Sequence, residues 1–335
     1  SIAVAILLAV PVFSQQHSSK GKISGIDQSL FSKSVQAGEN FYLYANEKWL
    51  NETEIPDDKS NYGIFTVLDD ETREQVRELI EQAAMAKSAF GSAAQKVGDL
   101  YGSVLDLEAR NRAGLGPVEP LLNQISDVDS QQELARVIGE LRRAGVGAPL
   151  VPYVSVDAKK SSAYTVYLTQ SGLSLPDRDY YLEDEERYVE LRAKLLEYVT
   201  DILEVAGHPD PGQAAQSIVE IENSIAEIHW TKTENRDPVK TYNSRSHTEL
   251  DQMLGVMRWF DYADAAGIAS AEQIVVRQPS YIESLAGLFD NYSVQQWKDY
   301  FTYHTVDAYA SGLSETLEKR HFDFHDTAIS GITSQ

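Results

Sequence analysis

The sequence predicts a mainly α fold with one small β-hairpin, and three observations lead there. Apolar residues recur three and four positions apart through most of the chain, which is the period of a buried helix face. Capping signals open several of these stretches, and a glycine closes the clearest of them. Residues 153–168 break the pattern with β-branched and aromatic side chains.

In chain order, residues 71–86 set Val76, Leu79, Ile80 and Ala83 on one face, and residues 93–108 do the same with Val97, Leu100, Tyr101, Val104 and Leu105. Ser130 and Glu133 form a capping box ahead of Leu134, Val137, Ile138 and Leu141. Residues 153–156 and 163–168, separated by a polar run, read as the two strands of a hairpin. The clearest helix covers residues 185–206, with Tyr188, Leu191, Leu195, Val199, Ile202 and Leu203 inward and Gly207 as its stop. Further helices are expected near 212–230, 247–259 and 279–289. The last opens at the capping box of Ser293 and Gln296 and runs to about Leu313. Residues 273–277 suit a short strand.

Size and composition bound the function. A chain of 335 residues suits two units of ordinary domain size, and 42% hydrophobic with 24% charged residues is enough to bury a core. A formal net charge of −22 repels nucleic acid and anionic membrane, so neither is an expected partner. There is no cysteine, which removes disulfides, thiolate nucleophiles and Cys-type zinc sites. Residues 2–13 are an almost unbroken apolar run that turns polar at Ser14. Such a run is too short to span a bilayer but matches the apolar part of a secretory leader, with Val12 and Ser14 as the small residues before a cleavage point. The expectation is a partial signal peptide over 1–14, a polar linker over 15–38, export to a periplasmic or extracellular space, and no membrane span beyond the leader.

Several segments are too rich in proline, glycine and aromatics to be plain connectors. Phe41-Tyr-Leu-Tyr-Ala-Asn-Glu-Lys-Trp-Leu50 is followed by Ile55-Pro-Asp-Asp-Lys-Ser-Asn-Tyr-Gly-Ile-Phe65, and later by Gly172-Leu-Ser-Leu-Pro-Asp-Arg-Asp-Tyr-Tyr-Leu182. Arg236-Asp237-Pro238 with Tyr242-Asn243 comes next, then Val275-Val-Arg-Gln-Pro-Ser-Tyr281 with Trp297 and Tyr300, and last Phe322-Asp-Phe324 with Ser330-Gly331. In this order the segments resemble the N-terminal, non-catalytic half of the neprilysin and endothelin-converting-enzyme family of zinc metallopeptidases, from about residue 40 onward.

That resemblance implies a two-lobed, largely helical, secreted or membrane-anchored peptidase roughly twice this long, in which a helical lobe lids the substrate cavity. Its zinc site would be an H-E-x-x-H helix with a downstream Glu in the C-terminal half. Two His one turn apart reach one ion, and the Glu between them acts as base on the metal-bound water. None of the seven histidines here stands in that arrangement. The chain alone is therefore expected to bind no zinc and to be inactive, with zinc as cofactor of the full-length protein. Its implied partners are a peptide substrate and the C-terminal catalytic half of the same chain. On this template residues 39–70 pack on the catalytic lobe, 71–271 form the lid, and 272–335 begin the catalytic lobe. Aromatics of the flanking segments, among them Phe41, Phe65, Tyr281, Trp297, Tyr300 and Phe301, would then face water in this chain alone, leaving 71–271 as the resistant core. The alternative is a self-contained exported helical peptide-binding protein without catalysis; residues 327–335, which stop without a cap, favour a chain that continues.

The resemblance also implies substrate-cavity residues. Mammalian neprilysin-like members carry arginines here that grip the C-terminal carboxylate of short peptides. Asn61 and Asp69 stand at the corresponding positions, and Thr66 replaces the acid between them. Without a guanidinium to hold a carboxylate bidentately, internal cleavage of oligopeptides is expected rather than release of C-terminal dipeptides.

Other candidates read as structural. His321 and His325 have the i, i+4 spacing of two ligands, but Phe322 occupies the place of the Glu and no third ligand is evident nearby. They read as solvated or cavity-facing. His304 and His229 read as packed histidines and His208 as exposed. Glu220, Glu222 and Glu227 read as the solvated face of a helix. Arg178 and Asp179 read as a pair that ties a turn to neighbouring helices.

Overall fold

The helical prediction meets its first test at residue 41. A computed structural model describes residues 25–332, so the expected leader, residues 1–14, lies outside the described residues. The chain divides into two units, Ser1–Pro56 and Asp57–Gln335. In the first, the aromatic segment from Phe41, for which no helix was expected, is helix α1 (Phe41–Glu52), opened by Asn40, which accepts from the Leu43 amide at 3.0 Å. The Phe31 ring lies 4.9 Å from Tyr44, yet no residue of α1 is buried, and Phe41 and Tyr42 are 70% and 62% exposed.

The second unit opens with α2 (Ile64–Met85) and α3 (Ala93–Leu105), which pack on each other and have no buried residue. Then come α4 (Leu107–Ala113), α5 (Glu119–Ser126) and α6 (Gln131–Arg143). The Ser130 hydroxyl caps α6 at Glu133, while the Glu133 carboxylate reaches back to the amide of Asp129 rather than Ser130. The hairpin is β1 (Leu150–Asp157) and β2 (Lys160–Gln170), antiparallel with Tyr153 opposite Tyr167. Its turn is tight because Asp157 Oδ1 accepts from the amides of Lys159 at 2.7 Å and Lys160 at 3.1 Å.

The sheet is larger than a hairpin. Two three-residue strands, β3 (Asn243–Arg245) and β4 (Ile274–Val276), extend it in the order β1-β2-β4-β3, with β4 parallel to β2 and β3 antiparallel to β4. β4 lies inside the expected strand at 273–277. β3 is too short to leave a periodic signal.

The remaining helices are α7 (Asp179–Leu182), α8 (Glu186–Val205), α9 (Pro211–Ile228), α10 (His247–Leu254), α11 (Trp259–Ala265), α12 (Pro279–Asn291), α13 (Val294–Tyr309) and α14 (Glu315–His321), followed by a π-helical segment, Phe322–Ile329. The single helix expected over 247–259 is two, and the break delivers Trp259 and Tyr262 into the core fully buried. Gly139 lets α6 and α11 approach: a Cβ there would lie 2.6 Å from the Tyr262 carbonyl oxygen.

The expectation that the aromatics after residue 272 face water is corrected. Tyr281, Trp297, Tyr300 and Phe301 are fully buried, with Phe289 at 2% and Phe324 at 4% exposure, all in the core shared with α6, α8 and α9. The physical reason is that α13 packs against α5, α6, α8 and α9, and β4 is an inner strand of the sheet. Residues 272–332 therefore complete the chain's own core, which runs from about Val118 to Phe324. Exposed apolar side chains are frequent on α1 of the first unit and, in the second, on α2 and α3, with others on the hairpin and at Val239 and Phe260.

Candidate functional site

The expected cavity residues fall at the start of α2. Thr66 lies in the first turn of that helix and Asp69 one turn on, while Asn61 is exposed on the loop before it. Asn61 makes only a long contact of 3.5 Å to the Ser60 hydroxyl. Asp69 accepts from Arg73 Nε at 2.6 Å, so a guanidinium does stand next to this position, one turn along the helix and already paired. Lys59 bridges Asp58 at 3.0 Å and Asp70 at 2.9 Å, which anchors the loop to α2. Beside these polar residues Ile64, Phe65 and Leu68 are 64%, 85% and 51% exposed. The structure thus brings Thr66, Asp69 and Arg73 to one end of an apolar helix surface.

A second polar assembly is buried. The Glu222 carboxylate on α9 is wholly inaccessible, which overturns its reading as solvated; Glu220 and Glu227 are exposed as expected. It accepts from the Tyr181 hydroxyl at 2.5 Å, the Ser174 hydroxyl at 2.6 Å and the Ser174 amide at 3.1 Å. His304 Nε2 lies 3.1 Å from the same carboxylate, an ion-pair distance at an angle that makes no hydrogen bond. Burial and the Glu222 charge push the Tyr181 hydroxyl far above the usual tyrosine range, so it is a donor here. Ser174 and Tyr181 belong to the 172–182 motif, and so does Gly172. Its φ of +95°, and a Cβ position 2.8 Å from both Pro149 Cα and the Tyr300 hydroxyl, exclude any other residue without rearrangement. Arg178 ties the same turn to α9 through the Ala226 carbonyl at 3.3 Å, as expected of it. This motif builds a structural knot.

The third assembly is the pair His321 and His325. Their rings lie 4.3 Å apart across the junction of α14 and the π-helical segment. The expectation of no third ligand is corrected by Asp307 of α13, whose Oδ1 is 2.9 Å from His325 Nε2 and 2.6 Å from the Tyr198 hydroxyl. Burial works to raise the Asp307 carboxyl, but the bond from His325, its charge and the Tyr198 hydroxyl together hold it below the usual range. Phe322 still stands where a hydrolytic zinc site needs its base, so these residues do not fit the catalytic zinc of the resembling family. His208 is also corrected: its Nε2 lies 3.3 Å from Asp299 Oδ1, with the imidazole only 17% exposed. Sequence spacing cannot pair residues that sit on different helices, so Asp307 and Asp299 escape it.

Comparison with known proteins places this geometry. A family model described as Peptidase family M13 matches residues 37–335. Endothelin-converting enzyme-like 1 of Homo sapiens is 26% identical over 301 residues, covering 84% of this chain and 38% of that protein. The endothelin-converting enzyme homolog of Locusta migratoria is 27% identical over 317 residues, covering 86% of this chain and 42% of that protein. The Mycobacterium tuberculosis zinc metalloprotease ZMP1, solved in complex with inhibitor, superposes with a TM-score of 0.84 at 33% identity, over 93% of this chain and 48% of that one. The chain spans less than half the length of each of these relatives.

Proposed function

The chain belongs to peptidase family M13, and from that premise we propose that it is the non-catalytic, cavity-lidding part of an exported zinc metalloendopeptidase that cleaves oligopeptides. The observation that carries this reading is the division of its apolar surface. Residues 118–324 fill a core of their own, whereas Phe65, Leu79, Leu100 and Leu105 on α2 and α3 are 59–85% exposed. Each such side chain contributes about 1.5–3 kcal/mol when covered, and large bare apolar faces mark interaction surfaces. The proposed cover is the C-terminal catalytic half of the same chain, which would bring the zinc. α1 and α2 with α3 would pack on it, and the unit around the sheet would restrict the cavity to peptides. Export rests on the apolar run at 2–13.

Asn61, Thr66 and Asp69 would line the cavity. With Arg73 engaged by Asp69, no free guanidinium is supplied at these positions for a C-terminal carboxylate.

The test compares the 335-residue chain with the product of the reading frame carried past Gln335. The longer protein should contain H-E-x-x-H and cut oligopeptides internally, in a chelator-sensitive way, with internal cuts read by mass spectrometry; the 335-residue chain should cut none. A stop codon directly after Gln335, together with tight peptide binding by the chain alone, would sink this reading in favour of a self-contained peptide-binding protein.

A further inference from the structure

The cluster on α13, α14 and the π-helical segment has no part in the proposed function, and its donors come from this chain alone. The candidate donor atoms of Asp307, His321 and His325 all lie within 4.8 Å of one another. Two ligand atoms each about 2 Å from one ion at a tetrahedral angle sit about 3.3 Å apart. The 2.9 Å between His325 Nε2 and Asp307 Oδ1 is already close to that spacing, and the His321 ring lies 4.3 Å from the His325 ring.

Three further features suit a cation. The Tyr198 hydroxyl on Oδ1 is the kind of outer contact that orients a ligating carboxylate, and the Tyr198 ring stands edge-on to His325 at 5.5 Å. His325 and Asp307 are 25% and 17% exposed, so an ion has access from solvent. The backbone is itself unusual: α14 widens into a π-helix immediately after His321, and such segments are rare and concentrate at functional sites.

We infer that Asp307, His321 and His325 form a second, non-hydrolytic site for a divalent transition-metal ion such as zinc, which clasps α13 to the segment after α14. Two imidazoles and one carboxylate, without sulfur, suit Zn2+, Co2+, Ni2+ or Cu2+ better than Ca2+ or Mg2+. The ion would replace the direct contact of His325 with Asp307 by two coordinate bonds, and water would complete its shell. This inference revises the expectation that the chain by itself binds no zinc.

The experiment titrates the 335-residue chain with Zn2+ by calorimetry and with Co2+ by visible absorption. One ion per chain is expected, with the intense ligand-field bands of a four- or five-coordinate site. His321→Ala, His325→Ala and Asp307→Asn should each weaken binding at least tenfold, Tyr198→Phe by about tenfold, and His208→Ala not at all. Circular dichroism checks that each variant is folded, and the Co2+ spectrum of the unaltered chain does not depend on any variant. A spectrum like that of hydrated Co2+, or zinc binding that survives loss of both His321 and His325, would overturn the site.

Discussion

Glu222 is where single residues matter most to this fold. It is a buried carboxylate with three hydrogen bonds and an imidazole at ion-pair distance, so removing it takes the acceptor from the Tyr181 hydroxyl and leaves the Ser174 amide and hydroxyl with the hydroxyls of Tyr181 and Tyr303. Glu222→Ala should cost about 3–5 kcal/mol, read as a lowered urea midpoint; a loss under about 1 kcal/mol would mean that water replaces the carboxylate. His229 gives a pH dependence. Burial, partly offset by the Ser171 carbonyl 3.1 Å away, lowers its pKa from 6.5 to about 4. The unfolded chain therefore binds a proton there that the folded chain refuses, and stability is fully present above pH 6.5 and falls as pH drops toward about 4. The contribution is about 2–3 kcal/mol, allowing for the partial exposure of the ring. In His229→Gln the slope of stability against pH over this window should flatten; an unchanged slope would assign the dependence elsewhere.

At the scale of elements, α2 with α3 and the unit around the sheet should behave differently. The apolar stripe of α2 is well formed, yet with no buried residue its backbone bonds have little tertiary protection. α13, by contrast, buries Trp297, Tyr300, Phe301 and Tyr303. Hydrogen exchange on the 335-residue chain should find the amides of residues 64–105 opening at a cost of only ~1–2 kcal/mol, and those of α6, α8, α9 and α13 exchanging near the global limit. Limited proteolysis should accordingly leave a resistant piece near 118–324, not one that stops at 271. Equal protection of α2 and α13 would mean that the first helices have a cover in this chain already, and would remove the main support for a docking half.

At the scale of the molecule, family, helical content and most helix positions were legible in the residues alone, because each depends on local spacing. The face of α6, the stop of α8 at Gly207 and the full capping box at Ser293 need only neighbours three or four positions away. The ordered motifs carried the family for a related reason: Gly172, Ser174 and Tyr181 are held by backbone geometry and buried hydrogen bonds that few substitutions satisfy. Asn40 as a cap was equally local, and α1 went unread because aromatic crowding masked it. Tertiary structure alone decided which apolar and polar faces are covered. A helix period says that one side is apolar but not whether a partner stands there, so α2 and α13 look alike as sequence and differ completely in burial. The same reason hid Glu222 inside the core and Asp307 beside His325: a charge on an amphipathic helix reads as solvated until other helices close over it.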